Sequence, residues 1–201
     1  MTISIARESI PELIKKSQLD IDSYVPNIVI CGESQCPEFK EGRLRCENCP
    51  GDARLECRYD LRKRIKSALI EQGCLAGLFE EFEGIEYASM DEKLILRNKH
   101  LDLVFIIPTS IGPISELSSF WEDKIIRPKI RVLVPVEYHP FYGEGEGYMD
   151  SVYKELMSDY GHLYPFNVRD GTHPDPLTIA STLVEVYKRR KLLELTENVR
   201  Q

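Results

Sequence analysis

Leu101-Asp-Leu-Val-Phe-Ile-Ile107, with the segment Pro108-Thr-Ser-Ile-Gly-Pro-Ile-Ser-Glu116 that follows it, is the stretch on which the fold turns. The first seven residues are almost wholly apolar and too few for a buried helix, so they read as a core strand. Asn27-Ile-Val-Ile-Cys31 and Ile130-Arg-Val-Leu-Val-Pro-Val136 have the same character. Cys74-Leu-Ala-Gly-Leu-Phe79 and His162-Leu-Tyr-Pro-Phe-Asn167 are weaker strands, and Pro165 assigns the latter to a position near a sheet edge. Helical patterns separate them: Arg54 to Gln72 closing at Gly73, Ser89 to Lys99, Pro113 to Asp123, Gly147 to Tyr160 closing at Gly161, and Asp175 to Glu194. Regular alternation of strand and helix predicts a mostly parallel sheet of five strands with helices on both faces, because parallel neighbours need crossover helices. A flavodoxin-like or Rossmann-like α/β layout follows.

The 201 residues, 42% hydrophobic and 29% charged, suit one domain with a sizeable core. Within it, residues 1–24 read as a helical extension, amphipathic from Ile5 to Leu19 and interrupted at Pro11, and residues 32–57 as a cysteine-rich insertion after the first strand. Twenty-six basic and 33 acidic residues give a net charge of -7, which offers no electrostatic footprint for nucleic acid. The first residues lack the basic and apolar regions of a signal peptide, and no apolar run approaches the roughly 18 to 20 residues of a membrane span. The expected location is the cytoplasm, without membrane contact. Cysteines there are kept reduced, so the six present call for a role other than a disulfide scaffold.

In an open parallel sheet the ligand crevice lies beyond the carboxyl ends of the strands, where strand order reverses. That rule selects Gly32-Glu33-Ser34, Glu80-Glu81, Pro108 through Glu116, Glu137-Tyr138-His139 and Asn167. With Pro113 at the first helical position, Glu116 falls in the first turn, where the positive helix end favours its anion. An anion there suits a nucleophile or an acceptor for a ribose hydroxyl and makes a poor general acid; it serves equally well as a stabilising first-turn acidic residue.

Asp102-Leu-Val-Phe-Ile-Ile-Pro108 followed by Gly112-Pro-Ile-Ser-Glu116-Leu-Ser-Ser-Phe120 resembles the "D, hydrophobic run, then G-S-x-x-E-L-G-x-F" element of nucleoside 2-deoxyribosyltransferase-like and TIR-like enzymes. It is particularly similar to the effector proteins encoded beside bacterial retrons, and with Ile28-Val-Ile-Cys-Gly32 the similarity covers two strand ends. The resemblance implies cleavage of an N-glycosidic bond in a nucleoside or NAD-type nucleotide, with Glu116 attacking or stabilising the anomeric carbon in an antiphage defence effector. It further implies substrate contacts from Ser110 or Ser115 to the ribose or the carboxylate, and from the backbone near Gly32 to a sugar or phosphate. Asp102 opens the element and is carried as a substrate-binding residue, although an aspartate before a buried strand also serves to cap the preceding turn. Ser118 stands where the family has a small residue after Glu-Leu, and the Asp-Gly-x-x-Asp approach of true deoxyribosyltransferases is absent. That absence counts against base exchange and leaves hydrolysis, or binding without chemistry.

Cys36, Cys46, Cys49 and Cys57 cluster in one polar segment with the spacing C-x9-C-x2-C-x7-C. The C-x2-C pair puts two thiolates on one tetrahedral metal and the outer pair completes the shell, so the segment reads as a structural zinc site. An iron-sulfur cluster, regulatory disulfides or unpaired thiols are the alternatives. Cys31 and Cys74, at strand ends, read as small buried hydrophobes. His139 reads as a solvated loop histidine, Glu80-Glu81 as a solvated acidic loop, and Lys188-Arg-Arg-Lys191 as an exposed basic helix end. The leading reading is an N-glycosidase acting on a nucleoside or NAD-type substrate. The alternative is a nucleotide-sensing or protein-binding module whose cysteine segment reports metal or redox state, with a regulatory protein or a second copy of the chain as partner.

Overall fold

Five short strands form one sheet: β1 (Asn27–Cys31), β2 (Leu75–Leu78), β3 (Leu103–Ile106), β4 (Ile130–Pro135) and β5 (Leu163–Phe166). They come from a computed structural model that describes residues 23–32, 61–82, 88–109, 111–143, 148–159, 161–167 and 172–198. Every pair is parallel and the order is β2-β1-β3-β4-β5, the flavodoxin-like arrangement. The sheet is thus wholly parallel among the described residues, where the sequence predicts mostly parallel. Pro165 lies in the edge strand β5, where its missing N–H costs no ladder bond on the open side.

The helices are α1 (Leu61–Glu71), α2 (Ala88–Arg97), α3 (Ile111–Trp121), α4 (Tyr148–Asp159) and α5 (Pro176–Asn198). Alternate strand residues feed two separate cores. Val29, Val104, Ile106, Val132 and Val134 pack under Leu96 of α2, Leu117 and Phe120 of α3, and Tyr153 and Leu156 of α4. Ile28, Ile30, Leu103, Phe105 and Leu133 pack under Leu61, Ile65 and Leu69 of α1 and Ala180 and Val184 of α5. Burial on both faces is why the central strands read as unbroken apolar runs rather than alternating ones. Gly73 and Gly161 adopt φ of 78° and 63°, the left-handed conformation expected where α1 and α4 close. Asp175 caps α5 by accepting from the N–H groups of Leu177 at 2.9 Å and Thr178 at 3.2 Å, with Pro176 at the first helical position.

Three sequence expectations shift. Helix α3 begins at Ile111 rather than Pro113, because a proline within the first turn removes an N–H that has no intrahelical acceptor anyway. Glu116 therefore stands in the second turn. Lys188 is buried rather than exposed and donates to the Gln72 carbonyl at 3.2 Å, closing the end of α1 against α5. Residues 1–22 of the predicted extension and 33–57 of the predicted insertion lie outside the described residues. No helix among the described residues is long and apolar enough to cross a membrane.

Candidate active site

In the order β2-β1-β3-β4-β5 the reversal lies between β1 and β3, and the carboxyl ends of those two strands deliver Gly32 and the segment leading to Glu116. The Ile107 N–H donates to the Cys31 carbonyl at 3.0 Å, so the two strand ends stay joined up to the rim. A Cβ built on Gly32 would meet Ile107 Cβ at 3.5 Å and Arg62 Cδ at 3.6 Å, which is ordinary contact. Gly32 thus lies against Arg62 on the floor of the reversal, without a backbone conformation that demands glycine.

Arg62 is the residue that sequence reasoning missed. It is 4% exposed and grips Glu80 with both terminal nitrogens, Nη1 to Oε2 at 3.0 Å and Nη2 to Oε1. Such a two-pronged pair fixes the carboxylate in orientation as well as charge. The missed signal is periodicity: Arg62 stands three and seven residues before Ile65 and Leu69, on the face of α1 that packs into the core. A charged residue on a buried stripe needs a partner, and Glu80 supplies it. The Glu80-Glu81 turn is consequently a structured edge of the site rather than a solvated loop. Glu81 accepts from the Leu78 N–H at 3.0 Å and pairs with Lys66, and these bonds hold its carboxyl below the usual range.

Glu116 is half-buried, and its carboxyl is raised from 4.5 to about 7, first by loss of solvent, then by the negative charges of Glu92 and Glu80, against the opposing pull of Arg62. This overturns the expectation of a firmly ionised first-turn anion. In the second turn the helix-end charge has largely fallen away, and desolvation decides the charge state. Glu92, on α2, is likewise raised by burial. The Cys31 thiol beneath them is pushed well above its ordinary value by burial and by Glu116 and Glu92, so it is a protonated core group, as is the buried Cys74. Three carboxylates around one guanidinium, at the ligand end of a parallel sheet, make a group that exchanges a proton near neutrality.

The other expected residues are distributed differently. Ser115 is exposed, one residue and about 100° of helix away from Glu116. Ser118 donates to the Ile114 carbonyl at 3.2 Å, a bond within its own helix. Ser110 lies outside the described residues, as do Cys36, Cys46, Cys49 and Cys57; among the described residues no group of three potential ligands is placed to hold a metal. Asp102 sits at the opposite end of β3, the strand's four residues and roughly 13 Å from the rim. There it accepts from Tyr24 Oη at 2.7 Å, Tyr187 Oη at 2.8 Å and the Asn27 N–H at 2.8 Å, joining the segment before β1 to α5. It is a structural clamp away from the crevice. His139 is 3% exposed, and burial and the neighbouring His173 push its pKa down; it is not solvated as the sequence implied.

An apolar groove of about 440 Å³ runs along the other end of β1 and β2, lined by Asn27, Ile70, Leu75, Phe82 and Leu101. It contains none of the charged groups just described. Compared with known protein families and with curated proteins, the chain matches no family model and no curated sequence.

Proposed function

We propose that the protein cleaves an N-glycosidic bond in a nucleoside or NAD-type nucleotide, with Glu116 at the anomeric carbon. The observation that carries this reading is one carboxyl at the strand-order reversal that titrates at about 7, flanked by Glu92 and by the Arg62–Glu80 pair. Glycosidic bonds break through an oxocarbenium-like state, which an adjacent carboxylate stabilises or traps as an ester. At neutral pH Glu116 is present in both forms. Its anion faces the developing positive carbon, and its acid protonates a neutral departing base. A cationic leaving group such as nicotinamide departs without that proton.

The test is release of free base or nicotinamide from NAD, NADP and common nucleosides by the purified full chain. Glu116→Gln keeps the shape but loses both forms, and turnover falls at least about a hundredfold. Tight nucleotide binding without any turnover in the wild-type protein favours the sensor reading instead. For the defence role that the resemblance implies, expression of the wild-type chain in bacteria arrests growth, and expression of the Glu116→Gln variant spares it. For the cysteine segment we propose a structural zinc ion, bound by Cys36, Cys46, Cys49 and Cys57.

A further inference from the structure

The loop after β4 holds three aromatic rings out at the same end of the sheet as Glu116. Tyr138 is 51% exposed, Phe141 70% and Tyr142 60%, a concentration of apolar surface that a solvated loop does not need. The loop is nevertheless firmly built. His139 is buried beneath it; its Nδ1 accepts from the Phe141 N–H at 3.2 Å, and its carbonyl accepts from the Tyr142 and Gly143 N–H groups at 3.1 and 2.7 Å. The Tyr142 ring lies 4.8 Å from that of His139 and 5.3 Å from that of His173, which arrives from the segment after β5. A Cβ at Gly143 would run into the Glu137 carbonyl, so the turn closes only with glycine.

We propose that Tyr138, Phe141 and Tyr142 form a stacking platform for the planar heteroaromatic ring of the ligand whose sugar lies at Glu116. The inference rests on the reading of that crevice as a nucleoside site. One strand spacing, about 4.8 Å, separates β3 from β4, so a sugar beyond the first and a ring beyond the second belong to one nucleoside-sized ligand. Charge decides which end of a nucleotide is received here. Glu80, Glu92 and Glu116 outnumber Arg62, which repels phosphate and leaves the uncharged or cationic ring as the end that fits. Aromatic faces add about tenfold or more in affinity per stacked ring and are tolerant of which ring it is. A preorganised loop delivers that gain without the ordering cost of a mobile one.

The experiment measures equilibrium binding of NAD, adenosine and uridine, with ribose 5-phosphate as the ring-free control, to the full chain carrying Glu116→Gln so that no probe is consumed. At least one ring compound binds, adding Phe141→Ala weakens it about tenfold, Phe141→Trp restores it, and any binding of ribose 5-phosphate is unchanged throughout. Because Phe141 is exposed, its replacement leaves the thermal midpoint in place, which separates lost stacking from lost folding. The proposal is overturned if none of the three ring compounds binds at millimolar concentration, or if Phe141→Ala leaves their affinity unchanged. It is equally overturned if the variant abolishes only a concentration-dependent dimer. Ring binding through Phe141 without turnover by the wild-type protein sinks the hydrolase reading and keeps the platform; turnover with Phe141-independent binding does the reverse.

Discussion

Glu116→Gln makes the fold more stable at alkaline pH. In the folded chain the carboxyl is raised from 4.5 to about 7 by burial among Glu92 and Glu80. A folded value above the unfolded one means that the acid form is favoured by folding. The benefit is complete below 4.5, declines as pH rises, and is gone above about 7, where the ionised group is carried at a cost. The difference corresponds to about 3 kcal/mol, an order-of-magnitude figure for a half-buried group. Glutamine has nearly the same shape and no charge to desolvate. The variant and the wild-type protein should therefore converge near pH 4.5 and diverge through pH 7, with the variant ahead by up to about 3 kcal/mol at pH 8 to 9. For a chain of this size that is a rise in thermal midpoint of roughly 6 to 12 °C. Urea unfolding in a series of buffers between pH 5 and pH 9 reads the difference directly. A stability gap that stays flat across that range refutes the reasoning, since it would mean that Glu116 ionises as it does in the unfolded chain. A gap of opposite slope would mean that the helix end governs it after all.

Arg62→Met removes the positive charge that pulls the Glu116 carboxyl down, so the midpoint of its ionisation moves above 7, followed by carboxyl NMR or by the pH profile of turnover. Asp102→Ala strips the acceptor shared by Tyr24, Tyr187 and the Asn27 N–H; it costs about 3 to 5 kcal/mol in denaturant unfolding, while turnover per folded molecule is unchanged because the clamp lies at the far end of β3. Protein purified without chelator carries about one equivalent of zinc, and Cys49→Ser lowers it below about half, read by elemental analysis.

The strands were legible because burial on both sheet faces writes itself into sequence as short β-branched runs, and β1 matches its prediction residue for residue at Asn27–Cys31. Strand order was not legible, since alternation of strand and helix is common to several doubly wound sheets, and only pairing of β1 with both β2 and β3 selects among them. Glu116 was found by a positional rule, but its charge state was not. Judging that required knowing that Glu92 and Glu80, distant in sequence, converge on it. Asp102 shows the converse. A motif match supplied its identity, and three hydrogen bonds at the amino end of β3 show a different occupation. His139 misled for a related reason: its surroundings come from Tyr142 and His173, on separate loops.

The energetics of Glu116 bear on why it is there at all. Packing does not require an acid at this position: Leu117 and Phe120 supply the buried face of α3 beside it. At neutral pH the carboxyl costs stability that a glutamine would not, and Glu92 adds a second raised carboxyl a short way off. The Arg62–Glu80 pair offsets part of that cost, yet Arg62 commits both its terminal nitrogens to Glu80 rather than to Glu116. The arrangement thus fixes one carboxylate in a fork of hydrogen bonds and leaves its neighbour free to gain or lose a proton. Neighbouring carboxyls held in such different surroundings are what acid and base chemistry at a sugar carbon needs. A surface acidic residue selected only for helix stability would sit in the first turn, exposed, with its carboxyl below the ordinary range, and Glu116 departs from that description on every count.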